Sequence, residues 1–416
     1  MSYQHEDRVS AMPAAGQPAA PPARSRGLSR GDPARAHAAL RLALGLLLAT
    51  LAVGLPWDRR WHTTHVFDTF YSPPHLFIYT ATTLTAVVVT LLALKRGLRE
   101  PFGPPVRLWP LRVVAPGPVF IAGAGFVGLG LAGLLDHLWH TAFGLDETAW
   151  SAPHAMLGWG WLVAFLGFLS CRLALRPARP WHRRTTLLFA FLILGFSQRP
   201  LLGPLGEIRP PARAAALARL PVFAAQPPLL HTLRIETAWD LSRTDPCFVL
   251  VAALWLGVTL AVLRGLIRRP SALVGLLTLW SVGASAASWA TARGLERALA
   301  LPAGHDPALW LPVPILPAAM ALALAGWLGL RERAAWTLAG AVFAALVFAT
   351  WGRTPLAALA ALGAVALVPP GARLGRWLWA TLERPTPRAA WTLALGCATL
   401  PLLTGSLDLA LRHATP

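Results

Sequence analysis

Apolar residues run along this chain in blocks of about twenty, and Arg-bearing connections separate them. A block of that length spans the hydrocarbon core of a bilayer as a helix, whereas a soluble core helix is shorter and alternates with polar positions. The pattern predicts about eleven helices, over residues 38–56, 74–94, 116–135, 153–175, 185–203, 246–266, 271–292, 308–330, 334–352, 354–370 and 389–410. The fold class expected is therefore all-α, a polytopic integral membrane helix bundle. Pro200 and Pro204 interrupt the fifth block, and the tenth is short.

The connections divide the chain into four parts. Residues 1–37 are polar and rich in Pro, Ala and Arg, and read as a disordered cytoplasmic tail. Residues 38–197 form a front helical bundle, 198–245 a long outer loop, and 246–416 a back helical bundle. A short helix on the membrane surface is expected near Ala212 to Leu220.

Composition agrees with membrane insertion: 55% of the 416 residues are hydrophobic and 13% are charged, about half the charged fraction of an ordinary soluble domain. The net charge of +19 does not point to nucleic acid, because the basic residues lie between the apolar blocks rather than on one soluble face. It reports orientation instead. Arg24, Arg26, Arg30, Arg35 and Arg41, then Lys95, Arg96, Arg99, Arg107 and Arg112, then Arg172, Arg176, Arg179, Arg183 and Arg184 fall on alternate connections. By the excess of positive charge on cytoplasmic loops, the amino end is inside and the carboxyl end outside. Cys171, Cys247 and Cys397 lie in or at the ends of apolar blocks and make neither a disulfide framework nor a thiolate metal site.

The chemistry-bearing residues lie on the outward connections, in two copies. The first reads Asp58-x-x-Trp61-His62, then His65, Asp68, Tyr71-Ser72 and Pro74-His75. The second reads Asp136-His137-x-Trp139-His140, then Asp146, Trp150-Ser151 and Pro153-His154. Asp58 and Asp136 stand 78 positions apart, so the first four helices carry an internal duplication. Both copies face the same way and are related by an axis along the membrane normal.

Asp58 and His62 are four apart, as are Asp136 and His140, which puts each pair on one face of a last helical turn. The prolines suit the first turn of the next helix, from which His75 and His154 emerge. Each copy thus converges one carboxylate and two imidazoles, a ligand set suited to copper, zinc or non-haem iron. His65, Asp68, His137 and Asp146 are placed to hydrogen-bond the ligands from outside. The competing reading is helix capping with an aromatic belt of Trp61, Trp139 and Trp150.

The first copy closely resembles the metal motif of the C subunit of particulate methane monooxygenase and ammonia monooxygenase, Asp-x3-His-x12-His. Asp58, Trp61, His62, Asp68, Thr69, Ser72, Pro73 and His75 match it position by position. The second copy has one extra residue between its histidines, and the resemblance covers about twenty residues, twice. It implies copper held by Asp58, His62 and His75, with Asp136, His140 and His154 as counterparts, in a multi-pass protein of a bacterial inner membrane. The acid that commonly follows the family's last His is replaced by Leu76-Phe77-Ile78.

Three functions follow as expectations. One is a copper-dependent oxidation complex in which this chain is a monooxygenase subunit, with membrane partners or a second copy of itself. Another is a metal transporter or delivery protein, and the last a structural or assembly subunit with no metal. No nucleic-acid partner is expected; the lipid bilayer is. Elsewhere, Gly123-Ala-Gly125-Phe-Val-Gly128 matches a dinucleotide fingerprint by letter but lies in an apolar block, where helix packing through Ala124, Gly128 and Ala132 explains it better. Glu207, His231, Glu236, Asp240, Asp245, Glu296, His305 and Asp306 read as solvated loop charges.

Overall fold

The computed structural model describes residues 32–55, 57–58, 70–108, 113–143, 152–175, 179–202, 246–298, 315–351, 355–393, 395–396 and 399. Those residues are predominantly helical. Five helices are long and apolar enough to cross a membrane: Pro33–Gly54, Pro73–Leu94, Gly117–Trp139, Met156–Leu175 and Ala358–Glu383. The chain therefore has the make-up of a multi-pass membrane protein. Its helices turn large apolar side chains outward, among them Leu42, Leu84, Val87, Val127, Leu131 and Leu134, which suits contact with lipid and would be costly in water.

The first helix, α1 (Pro33–Ala49), begins inside the stretch expected to be tail. Asp32 explains this, since its carboxylate accepts hydrogen bonds from the backbone N–H of Ala34 and Arg35, and Pro33 supplies a preset first turn. A π turn over Thr50–Gly54 continues it. Helix α2 (Pro73–Leu94) returns, and the Asp32 N–H donates to the Gly97 carbonyl at 2.9 Å. The start of α1 and the end of α2 thus meet at one end of the bundle.

That end holds something the apolar pattern did not foretell. After a single turn of helix, α3 (Arg96–Arg99), two short strands, β1 (Pro105–Leu108) and β2 (Val113–Pro116), pair antiparallel with Pro105 opposite Pro116. Helix α4 (Gly117–Phe143) then runs back, followed by α5 (Ala152–Leu175) and α6 (Arg179–Leu202). The sixth helix runs on to Leu202, so five residues assigned to the outer loop, 198–202, belong to it.

The α4 and α5 backbones approach closely enough that only small residues fit. A Cβ on Gly125 would collide with the Ala164 backbone, and one on Gly167 with the Ala122 backbone. Dispersion contacts of this kind drive helix association where lipid removes the hydrophobic incentive. The glycine-rich block thus packs helices, but its closest approach is through Ala122 and Gly125 rather than the expected stripe of Ala124, Gly128 and Ala132; a Cβ on Gly128 would stand 3.7 Å from Gly160 Cα.

Arg172, counted among the inside charges, is 3% exposed. Its Nε and Nη2 donate to the hydroxyls of Thr185 at 2.9 Å and Thr186 at 2.6 Å, clamping α5 to α6. A buried guanidinium is tolerable only with such partners.

The back part comprises α7 (Pro246–Leu266), α8 (Pro270–Ala298), α9 (Ile315–Trp327), α10 (Glu332–Trp351) and α11 (Pro355–Glu383). Expected to stop at residue 370, α11 continues through Pro369 and Pro370 to Glu383. Gly371 lies against the Leu254 backbone of α7 and Gly375 against that of Val258, and this packing offsets the hydrogen bonds the prolines remove. Ser170 of α5 donates to the Leu382 carbonyl at 2.6 Å, joining front to back. Within the back part, Glu332 of α10 pairs with Arg376 of α11, and the Arg264 guanidinium of α7 stands 5.7 Å from the ring centre of Trp336 on α10. A final helical stretch covers 387–393.

Candidate metal centre

Asp58 reaches its position by way of the π turn. One extra residue in a turn rotates everything beyond it by roughly 100° relative to a regular helix. The Leu55 N–H reaches back to the Thr50 carbonyl, and the buried Thr50 hydroxyl donates to the Leu46 carbonyl at 3.2 Å. Gly54 lets this segment press on α2: a Cβ there would sit 2.7 Å from Ile78 Cγ1. Trp57 and Phe77 follow, ring centres 6.2 Å apart. Asp58 is thereby carried to the start of α2.

There Ser72 is extended, with ψ 148°, and Pro73 and Pro74 open the helix. His75 is its third residue. Its Nε2 stands 3.0 Å from Asp58 Oδ1, with the two side chains 15% and 21% exposed. The Asp58 Oδ1 atom itself is sealed from solvent.

The second copy repeats the placement with different local means. Asp136 and His140 both lie on α4, which runs unbroken to Phe143 without a π turn. Gly160 of α5 brings the helices together just below, where a Cβ would meet Leu129 Cγ at 2.9 Å. His154 is the third residue of α5, as His75 is of α2. Its Nδ1 stands 3.9 Å from Asp136 Oδ1, with side chains 32% and 10% exposed, and Asp136 Oδ1 is likewise sealed.

The structure thus brings together Asp58 with His75 and Asp136 with His154. His62, His65, Asp68 and Asp146 lie outside the described residues, as does the side chain of His140, while His140's backbone lies on α4. Among the described residues no group of three or more His, Cys, Asp or Glu side chains gathers at one point. His137 was expected as an outer hydrogen-bond partner of the ligands. Its ring packs edge-on against Phe70 of the first copy, centres 5.2 Å apart.

Whether the pairs suit a metal is a matter of spacing. Donors bonded to one ion at about 2.0–2.1 Å stand roughly 2.9–3.4 Å from each other. The first pair, at 3.0 Å, falls inside that range, and the second, at 3.9 Å, lies about half an ångström beyond it. Both offer nitrogen and oxygen donors and no sulfur; Cys171, the free thiol among the described residues, is buried in α5.

Two residues that sequence reasoning passed over border the site. Tyr79 lies four positions after His75, on the same helix face, with ring centres 5.8 Å apart, and Phe70 stacks on Tyr79 at 4.8 Å. The i, i+4 spacing from His75 was the available signal. It was hidden because Leu76-Phe77-Ile78 reads as plain apolar helix. In the second copy the position answering to Tyr79 is Gly158, where a Cβ would meet none of the described residues within 4 Å.

Comparison with protein-family models, with curated proteins and with solved structures gives no match.

Proposed function

We propose that this chain is a metal-holding membrane protein whose two Asp/His clusters bind copper, with zinc and non-haem iron as the alternatives. In this reading it acts as a counterpart of the C subunit of methane and ammonia monooxygenases in a membrane oxidation complex. The observation that carries the reading is the recurrence of one arrangement: twice, a sealed carboxylate oxygen on one side of a connection faces, within 4 Å, a histidine at the third position of the helix that follows it. Capping does not need that match, because a capping side chain bonds its own helix's N–H groups. Asp58 and Asp136 instead face the imidazole of a neighbouring helix.

Asp58, His62 and His75 would hold one ion, and Asp136, His140 and His154 another. Copper so held supplies one-electron chemistry with dioxygen. The chain's own contribution is to fix the ligands on packed helix ends and to keep water from the carboxylate oxygens. The arrangement further proposed is about eleven spans, an internal duplication in the first four, the amino end inside and both clusters at the outer face of an inner membrane.

Metal analysis of gently purified protein tests this. About one equivalent of copper or more per chain is expected, falling sharply when Asp58→Asn and Asp136→Asn are combined. Less than ~0.1 equivalent of copper, zinc or iron in the unaltered protein would overturn it.

A second reading has its own support, since 3.0 Å between His75 and Asp58 is also the length of a good hydrogen bond. On that reading the pairs are metal-free clasps between helices. Unchanged metal content in the double Asn variant, with a lowered unfolding temperature, would favour it.

A further inference from the structure

Side chains that no metal reading requires run from the first Asp/His pair to the turn of α4 that carries the second. From Asp58 the contacts pass to His75 at 3.0 Å, to the Tyr79 ring at 5.8 Å, to the Phe70 ring at 4.8 Å and to the His137 ring at 5.2 Å. His137 neighbours Asp136, which faces His154. Every ring separation lies in the 4.5–7 Å range at which aromatic pairs attract. Phe70 belongs to the first connection and His137 to α4, so the contact crosses from one copy to the other.

We propose that Phe70 and Tyr79 join the pairs into one composite site, as positioning residues through which the state of one pair is felt at the other. The ligand rests on the metal reading above; the coupling does not. Each ring contact ties the orientation of one side chain to that of the next, so a displacement at His75 has a contiguous route to His137. Neither ring supplies a donor to the ion. Each fixes the orientation of a histidine by contact with its face or edge.

The test uses the full chain in lipid nanodiscs, stripped of metal and titrated with Cu(II). His75→Ala removes the first pair and should weaken binding at the remaining copy by ~5-fold or more, the lower range of measured site-to-site coupling. In a Phe70→Leu or Tyr79→Leu background the same change should move that affinity less than about twofold. Phe70→Trp and Tyr79→Phe keep a ring and should retain the effect, which a merely space-filling role would not predict. An affinity at the second copy that is indifferent to His75, or a cross-effect that survives both Leu variants, overturns the proposal.

A metal-free readout separates this outcome from failure of the metal reading. In histidine-labelled protein the His137 ring resonance should shift on His75→Ala, and the shift should vanish with Phe70→Leu. No shift sinks the coupling even where copper binds; a shift without copper binding sinks the metal reading alone.

Discussion

The two copies of the Asp/His cluster share their letters and differ in how they are built. The first hairpin is bent into place: a π turn and a glycine wedge bring Asp58 to 3.0 Å from a histidine that Tyr79 covers on one side. The second is straight and rests on a backbone-to-backbone helix pair, with its carboxylate and histidine 3.9 Å apart and, among the described residues, no side chain within 4 Å of a Cβ at Gly158, where the first copy has a ring. The same motif therefore gives a shielded pair and an open one. What sets the difference lies outside the motif, in Thr50 to Gly54 and in the residue four positions past each histidine.

Breaking the supports should have the largest effect. Gly167→Leu drives a side chain into the Ala122 backbone and should cost ~3 kcal/mol or more, at the upper end of overpacking. Gly54→Leu meets the movable Ile78 and Phe77 side chains and should cost less, about 1–3 kcal/mol. Thermal unfolding in a fixed detergent gives the order. A larger loss at Gly54 would mean that the first hairpin, not the second, is the rigid one.

The pairs themselves come next. In metal-free protein His75→Ala should destabilise by ~1–3 kcal/mol, because it strips a sealed carboxylate oxygen of a partner at hydrogen-bond distance. His154→Ala should cost under about 1 kcal/mol, since 3.9 Å and a third of the histidine exposed leave a weaker interaction. Equal losses would erase the distinction between a shielded and an open copy.

The smallest expected effect is on access. Diethyl pyrocarbonate should acylate His154 faster than His75. Gly158→Tyr, which imitates the first copy, should slow the reaction at His154, and Tyr79→Gly should speed it at His75. Peptide mapping after brief labelling reads both; identical rates at the two histidines in unaltered protein would count against the role given to Tyr79.

Much of the helical frame was legible because bilayer-length apolar blocks admit few alternatives. The starts at Pro73, Ala152, Pro246 and Pro270 fall within a residue of those read from the pattern. Boundaries failed where a local signal was outweighed. Pro369 and Pro370 read as a stop, yet the contact of α11 with α7 carries the helix on to Glu383. Arg172 read as a loop charge, whereas Thr185 and Thr186 hold it between helices. The β1–β2 hairpin escaped notice because four-residue strands leave too short an alternation to stand out from a basic loop.

At the site, the pairing of Asp58 with His75 and Asp136 with His154 was foreseeable from helix ends and prolines. The π turn was not: a single inserted residue leaves no composition signature, and it shows only in the backbone, where the Leu55 N–H reaches the Thr50 carbonyl. Sequence could not show that the copies differ in openness either, because Tyr79 and Gly158 lie beyond the repeated letters.

X-ray absorption at the edge of the metal that co-purifies with the chain tests the central claim most directly. The account predicts a first shell of nitrogen and oxygen near 2.0 Å, with the outer scattering of imidazole rings, lost when Asp58→Asn and Asp136→Asn are combined. A sulfur shell near 2.3 Å, or a nitrogen and oxygen shell indifferent to both aspartates, would contradict it.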